Sequence, residues 1–394
     1  MQVGSDIDGE SDGDEMGKSV STNSDGSVVA VGAPKKDPNG NSSGQVLVYE
    51  RVNDQWTRMG GDMNGIAAQA RFGQSVSLSG DGFIIAVGAQ QFNSGNGYIQ
   101  IYEYVNNTWV QRGSDIDGEG TDDFFGACIR LSVNGNIVAA GARKNDGNGI
   151  DSGHVRVYEW DGTSWSQIGI DINGDAGGDK TGWALDLSAD GYTVAIGARH
   201  SGYVKIYTWS GTAWGQKGTD IQGETTTEAF GIGISLSSDA NIVAIGGYLN
   251  DGNGQDAGHV KAYQWSGSTW VQLGSDIDGN TAGDTFGHSV SLSSNGHTLA
   301  IGAPSYNTPE ISAGYARVFK LWNNTWVQIG DNMVGEADGD GFGFEVSLSS
   351  DGHTVVIGGY LNDGNGTDSG HVRVFDLYEP PTSFPSFRPS TAPN

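Results

Sequence analysis

Four short hydrophobic patterns recur in a fixed order along the chain. "SVSLS" from Ser289 alternates small polar and apolar residues, which is the two-residue period of a half-buried strand. "TVAIGA" from Thr193 is almost wholly apolar, while "GHVRVYEW" from Gly153 and "WVQLGSDI" from Trp270 alternate again. Ser-Asp-Gly, Asn-Gly and Asn-Asn-Thr sequences separate the patterns and favour tight turns. The order predicts a unit of four antiparallel strands.

This unit occurs seven times, and each copy has a glycine at the start of its first strand. The glycines are Gly17, Gly73, Gly126, Gly182, Gly231, Gly287 and Gly343. Successive spacings of 56, 53, 56, 49, 56 and 56 residues suit the blades of a β-propeller. We therefore predict an all-β fold, a seven-bladed β-propeller of four-stranded antiparallel blades.

The last copy lacks its fourth strand, whereas the chain opens with a fourth strand that has no other three. We predict that residues 2–7 pair with residues 371–377 and close the ring, because closure removes two open sheet edges. The predicted propeller covers residues 1–378. Residues 379–394 are rich in Pro, Ser and Thr and are expected to form a linker or tail.

Six tryptophans recur at one position, seven residues after an aromatic residue of the third strand. They are Trp56, Trp109, Trp165, Trp214, Trp270 and Trp326. A repeated large aromatic residue favours a wedge between blades over a set of sugar-stacking rings.

Charge and composition narrow the classes of partner. Acidic residues outnumber basic ones 47 to 20, and the net charge of −27 disfavours nucleic acid and insertion into anionic membranes. Cys128 is the single cysteine, so no intramolecular disulfide forms. The opening sequence begins within a repeat and lacks a signal segment. We expect an extracellular or cell-surface protein, a monomeric propeller within a longer chain, whose signal peptide is not in this sequence.

The phrase "FGHSVSLSSNGHTLAIGAP" from Phe286, followed by "GYARVFK", resembles the FG-GAP repeats of integrin α-subunit propellers. It is also similar to repeats of secreted proteins from marine bacteria and microalgae, and the tail is similar to those of diatom wall-associated proteins. The resemblance implies a seven-bladed propeller used in adhesion or ligand binding. Integrin repeats carry a calcium loop between the first two strands, but here that connection is a tight turn such as Ser349 to Gly352. The integrin calcium sites therefore do not transfer.

A different loop, "NDGNGxD", precedes the third strand in three units and suggests calcium. Its candidate ligands are Asp146, Asn148, Asp151, Asp251, Asn253, Asp256, Asp363, Asn365 and Asp368. A degenerate copy has Asp37, Asn39 and Asn41. Calcium takes six to eight oxygen ligands, which carboxylates and amides supply, aided by acidic loops between blades on the same face. Asp-Gly and Asn-Gly also form tight turns without metal, so both interpretations stay open. An Asp in the third position of each full copy keeps the calcium interpretation open, since a turn would accept Ser or Thr.

The histidines that follow these loops are interpreted as packing residues rather than zinc ligands. His154, His259 and His371 occupy a position that holds Gln or Tyr in other units. The residue after each first-strand glycine, by contrast, differs in every unit. If these residues line the mouth of a central channel, five of them form an asymmetric ligand pocket: Lys18, Gln74, Trp183, His288 and Phe344. Variation at an exposed rim would produce the same pattern. Arg130 and Asp186 replace serines of adjacent units and are expected to pair.

These features favour a non-catalytic binding or adhesion module. We expect it to recognise a glycan or an extracellular matrix or surface protein through its acidic loop face, with calcium assisting. A structural spacer in a cell wall or adhesive secretion is the alternative. A polysaccharide-active enzyme is less favoured, because an active site needs one distinct constellation and these acids recur in unit after unit.

Overall fold

The computed structural model describes residues 1–304 and 313–377, which form seven antiparallel sheets around a central channel. The predicted all-β seven-bladed propeller is confirmed. The predicted tail, 379–394, lies outside the described residues. In the described ranges, no helix has the length and apolar character that crossing a membrane requires.

The strands are given blade by blade from the channel outward. Blade 1 comprises Ser19–Thr22, Val28–Ala33, Gln45–Val52, Gln55–Arg58 and Met63–Asn64, and blade 2 comprises Phe72–Leu78, Ile84–Ala89, Tyr98–Val105, Thr108–Gln111 and Ile116–Asp117. Blade 3 comprises Phe125–Leu131, Ile137–Ala142, His154–Trp160, Trp165–Gln167 and Ile172–Asn173, and blade 4 comprises Thr181–Leu187, Thr193–Ala198, Tyr203–Trp209, Trp214–Gln216 and Ile221–Gln222. Blade 5 comprises Ile234–Leu236, Ile242–Gly247, His259–Trp265, Trp270–Gln272 and Ile277–Asp278, and blade 6 comprises Ser289–Leu292, Thr298–Ala303, Tyr315–Trp322 and Thr325–Val334. Blade 7 comprises Phe342–Leu348, Thr354–Gly359, His371–Asp376 and Ile7–Asp8. A four-residue helical turn, Phe92–Gly95, follows the second strand of blade 2.

The ring closes as predicted, through the N-terminal strand. Ile7 pairs with Val372 and Asp8 with His371, and an isolated bridge joins Gln2 to Phe375. The last blade therefore contains both ends of the propeller, and the N-terminal strand supplies its outer strand.

The hydrophobic core lies between the blades. Within residues 1–304 and 313–377, seven separate clusters of buried side chains occur, one at each interface between neighbouring blades. The alternating third strands and the apolar second strands supply these clusters, as their patterns predict.

The fourth strand differs from the prediction, because in blades 1–5 it is split into two pieces. In blade 5, Gln272 pairs with Tyr263 but Ile277 pairs with Val260, so two extra residues bulge from the outer edge. The bulge exposes a carbonyl to the next blade, and the repeated tryptophan donates its indole N–H to it at 2.8–3.0 Å in six interfaces. The interpretation of these tryptophans as wedges between blades is confirmed.

Candidate binding site at the channel mouth

The residues that follow the first-strand glycines meet at one end of the channel. Lys18, Gln74, Trp183, His288 and Phe344 line a common cavity of about 240 Å³. The inner strands position them, since each strand starts at this end of the ring. The sequence prediction placed them correctly, while their role in binding stays a prediction.

Two arginines complete the mouth and were missed from the sequence. Arg143 and Arg199 directly follow the second strands of blades 3 and 4 and line the same cavity. The available signal was the residue after the second-strand "GA" or "GG" pattern, which also varies between units: Pro34, Gln90, Arg143, Arg199, Tyr248, Pro304 and Tyr360. The symmetry of the repeat thus breaks at two adjacent positions rather than one.

Both arginines stack on the ring of Trp183. The guanidinium carbons of Arg143 and Arg199 lie 4.7 and 4.4 Å from its ring centroid. Arg143 also donates to Gln90 Oε1 at 2.7 Å, and Arg199 donates to the Tyr248 hydroxyl at 2.6 Å. These contacts hold two planar cations in place while using neutral acceptors and aromatic rings as partners.

A lysine and two further aromatic residues form the other side of the mouth. Lys18 Nζ lies 4.2 Å from the Phe344 centroid and 3.4 Å from that of Tyr360. Burial lowers the pKa of Lys18 to about 8. His288 packs 4.5 Å from Phe344, and burial lowers its pKa to about 4, so it is neutral at pH 7.

The mouth carries positive charge in a strongly acidic chain. No carboxylate of the described residues lies within 4.0 Å of Arg143 or Arg199, and Lys18 approaches Glu15 only at 3.9 Å. Burial, and then the neighbouring Arg199, lowers the pKa of Arg143 to about 10. An anion that entered here would meet two arginines with no carboxylate within 4.0 Å among the described residues, while Glu15 lies near Lys18 and Glu345 lines the same cavity.

Deeper in the channel, one arginine lies close to two acidic residues. Arg130 lies 3.5 Å from Asp186 and 3.8 Å from Glu345. The expected pairing of Arg130 with Asp186 is confirmed, and Glu345 joins it from across the ring. Burial raises the pKa of Glu345 to about 7.

The "NDGNGxD" loops lie around this mouth and are closed by their own hydrogen bonds. In each full copy the first Asp accepts the backbone N–H of the third position at 2.8 Å: Asp146 from Asp151, Asp251 from Asp256, and Asp363 from Asp368. The central Asn donates to a carbonyl of the next interblade loop: Asn148 to Gly174, Asn253 to Gly279, and Asn365 to Gly9. These bonds account for the first Asp and the central Asn of each loop as turn chemistry.

The degenerate copy corrects one step of the sequence argument. Ser42, not Asn41, is its third position, because the Ser42 N–H donates to Asp37 Oδ1 at 2.6 Å. Ser42 has a φ of 50° and Asp151 a φ of 55°. The third position therefore accepts serine as well as aspartate. The aspartates found there are not evidence for calcium binding. Among the described residues, the His and acid side chains whose ligand atoms cluster are not these loop residues but groups around His154, His259 and His371.

Comparison with protein families matches residues 335–375, the first three strands of blade 7, to the FG-GAP repeat. The comparison with curated proteins finds no match.

Solved structures similar to this propeller share its fold at low sequence identity. Hydrazine synthase of Kuenenia stuttgartiensis is 13% identical, with a TM-score of 0.59 over 96% of this chain and 98% of that chain. The Cps50 (Swd1) β-propeller domain of Myceliophteria thermophila is 10% identical, with a TM-score of 0.60 over 95% and 99%. A putative 6-phosphogluconolactonase of Bacteroides uniformis is 13% identical, with a TM-score of 0.58 over 81% and 86%. At these identities the likeness shows the fold alone.

Proposed function

We propose that this FG-GAP propeller is a non-catalytic extracellular binding module that holds an acidic sugar of a glycan at its channel mouth. One observation carries the proposal: Arg143, Arg199 and Lys18 line one cavity with almost no carboxylate partners, in a chain of net charge −27. Keeping like charges together costs stability, so an uncompensated cationic cluster favours a binding role.

The chemistry of the cavity favours a carboxylate or sulfate ester on a sugar ring. The two guanidinium groups are held by Trp183 and retain N–H donors suited to a planar or tetrahedral oxyanion. His288 and Phe344 add ring surface for the apolar face of a sugar. A cavity of about 240 Å³ accepts one sugar unit rather than a stretch of polysaccharide.

The acidic loops restrict how such a ligand approaches. The cationic mouth is ringed by interblade loops such as residues 113–123, which hold Asp115, Asp117, Glu119, Asp122 and Asp123. A long polyanion lying across this face would be repelled, whereas a chain end reaching the mouth would not. We therefore favour recognition of a terminal acidic sugar on a glycan or glycoprotein.

A panel of immobilised oligosaccharides tests the proposal. It contains chains that end in a uronate or a sulfated sugar, their neutral counterparts, and long uronate polymers, each probed with calcium and with chelator. We expect binding to the acid-terminated chains above both other classes. Equal binding to neutral and acidic chains would refute the anionic ligand, and binding to none would favour the structural spacer.

The same samples address the polysaccharide-active alternative. Glu345 and Asp186 share Arg130 in the channel, and such unequal acids are the groups a glycosidase would use. Chromatography of the oligosaccharides after long incubation would reveal cleavage. Intact chains fit the binding module, while products that disappear in a Glu345→Gln variant would overturn it.

A further inference from the structure

Three buried histidines lie at the start of third strands, and each has at least one ring nitrogen without a hydrogen-bond partner among the described residues. His154 is 1% exposed and His371 is 0% exposed. Neither ring nitrogen of either histidine has a hydrogen-bond partner among the described residues, and Nε2 of His259 also lacks one. Buried polar atoms left in this state cost stability, so each calls for a physical reason.

The other four blades show that the position normally makes a hydrogen bond. Tyr203 donates to Asp179 at 2.8 Å, Tyr315 to Asp284 at 2.7 Å, and Gln45 to Asn64 at 2.8 Å. Tyr98 accepts a bond from a backbone N–H at 3.5 Å. The histidines are thus an exception to a pattern that this chain otherwise keeps.

Carboxylates from two other segments face the histidine in blade 7. His371 Nδ1 lies 3.7 Å from Asp6 Oδ2 and 4.0 Å from Glu336 Oε2. We call Asp6, Glu336 and His371 the blade 7 triad. Glu336 is half exposed, with 51% of its side chain accessible, so the group opens to solvent on one side.

Blade 3 repeats the arrangement at equivalent positions. His154 Nδ1 lies 3.7 Å from Asp171 Oδ2, and a ligand oxygen of Glu119 lies within 4.8 Å of both. We call Glu119, His154 and Asp171 the blade 3 triad. The same residue types therefore lie on the same three segments in both blades.

We propose that the blade 7 triad and the blade 3 triad each bind a divalent first-row transition ion, with zinc as the reference ion. One imidazole nitrogen and two carboxylates form a ligand set that zinc accepts, and a water completes four-coordination. Zinc bonds of about 2.0–2.2 Å place ligand atoms roughly 3.4 Å apart. The gaps of 3.7 and 4.0 Å in blade 7 close by a few tenths of an ångström around such an ion.

We do not expect blade 5 to bind an ion, because the ammonium group of Lys261 already contacts its carboxylates. Lys261 Nζ lies 2.7 Å from Glu224 and 3.5 Å from Asp276, the acids that face His259. In blade 3 the equivalent Arg156 donates at 2.9 Å to the Asp117 carbonyl and contacts Glu119 at 3.4 Å. In blade 7 Arg373 donates at 2.7 Å to Gln2 and lies 3.7 Å from Asp6. The shortest bonds of both arginines go to neutral acceptors, and each arginine lies within 4.0 Å of only one carboxylate of its triad, so the triads keep lone pairs for a metal. The inferred stoichiometry is two ions rather than three.

The blade 7 site also gives the ion a structural role. Asp6 lies just before the N-terminal strand, whereas His371 begins the last described strand. An ion held by both would tie together the two ends of the chain where the ring closes. Binding should therefore raise the melting temperature, since the ion binds the folded ring and not the unfolded chain.

Zinc titration into chelator-stripped protein tests the proposal, with calorimetry for stoichiometry and thermal unfolding for stability. We expect saturable binding of two zinc ions, a higher melting temperature with zinc, and no equivalent effect of calcium, which prefers oxygen ligands. Substitution by glutamine tests the ligands without loss of packing, because Gln45 occupies the same position in blade 1.

Four variants make the outcomes decisive. His154→Gln and His371→Gln should each reduce the stoichiometry to one, and only the latter should remove the ring-closing stabilisation. His259→Gln is the matched control and should retain two ions, whereas Lys261→Met should allow a third. The absence of saturable zinc binding, or a stoichiometry unchanged in both His154→Gln and His371→Gln, would overturn the proposal and indicate water in these positions.

Discussion

Gly358 of blade 7 lies directly against Gly17 at the start of blade 1. A Cβ atom on Gly358 would lie 2.0 Å from the Gly17 carbonyl oxygen. The same contact joins Gly246 to Gly287, and it recurs at all seven interfaces with distances of 1.9–2.2 Å. The two recurrent glycines of the unit are therefore one feature, a close backbone contact that sets how tightly neighbouring blades pack.

Replacement of Gly358 by alanine should open the ring at this contact. The methyl group has no space against backbone, so we expect a loss of about 3 kcal/mol in the free energy of unfolding. Denaturant unfolding measures it. Gly215→Ala is the matched control, because a Cβ there meets only Thr208 O at 3.9 Å, and it should be neutral. Equal effects of the two substitutions would contradict the packing account.

Among the described residues, the interface between blades 6 and 7 has no indole at the position used in the other six, which would fall directly before Met1. Gly330 has nothing within 4 Å of its Cβ position, whereas Gly274 at the equivalent position faces Trp326 Cδ1 at 2.9 Å. A cavity lined by Ile329, Gly330 and Met1 lies there. A tryptophan added directly before Met1 falls in the register of the other six and should stabilise the fold by about 2 kcal/mol. An added alanine is the control. Equal melting temperatures for the two variants would contradict the claim that an indole at this position packs between blades 6 and 7.

Glu345 gives the folded protein a specific pH dependence. Burial raises its pKa from 4.5 to about 7, so between these values the folded chain holds a proton that the unfolded chain has lost. Stability contributed by this proton falls as pH rises through the window. Glu345→Gln removes this decrease in stability. Relative to the parent, the free energy of unfolding of the variant should therefore rise by about 3 kcal/mol between pH 4.5 and 7. A difference between Glu345→Gln and the parent that stays constant across this pH range would contradict the assignment.

The calcium prediction for the "NDGNGxD" loops is tested by titration of chelator-stripped protein, with magnesium as the control. The first Asp of each loop is engaged by a backbone N–H, as at Asp146, so we expect no saturable calcium heat. Asp146→Asn should retain stability, since an amide oxygen accepts the same bond. A calcium-selective stoichiometry near three, lost in such variants, would establish calcium sites instead.

Most of the fold could be predicted because the chain contains the same strand pattern seven times. The alternation in the first and third strands predicted which of their side chains are buried. The strand near Ile7 has no preceding three strands of its own, which predicted its pairing near Val372. The shift within the fourth strand could not be predicted, because two extra residues leave the two-residue period of the pattern unchanged; blade 6 has the same shift, between Val318 and Ala316. The second-strand glycines were hidden by the many turn glycines around them.

The candidate sites were predicted in part for a related reason. Variation at Trp183 and His288 marked the mouth, yet Arg143 and Arg199 belong to another strand, and only the fold brings them to the same cavity. His371 was interpreted as packing because tyrosine replaces it elsewhere. That substitution is informative only once the structure shows that tyrosine reaches a carboxylate and histidine does not.

Calorimetric titration of an oligosaccharide that ends in a uronate, into the parent protein and Arg199→Gln, tests the central claim most directly. We predict at least a tenfold loss of affinity in the variant, because a charged hydrogen bond of roughly 1.5–3 kcal/mol disappears. Lys320→Gln on the third strand of blade 6, away from the mouth, should bind like the parent. Equal affinity of the parent and Arg199→Gln would contradict binding at the channel mouth.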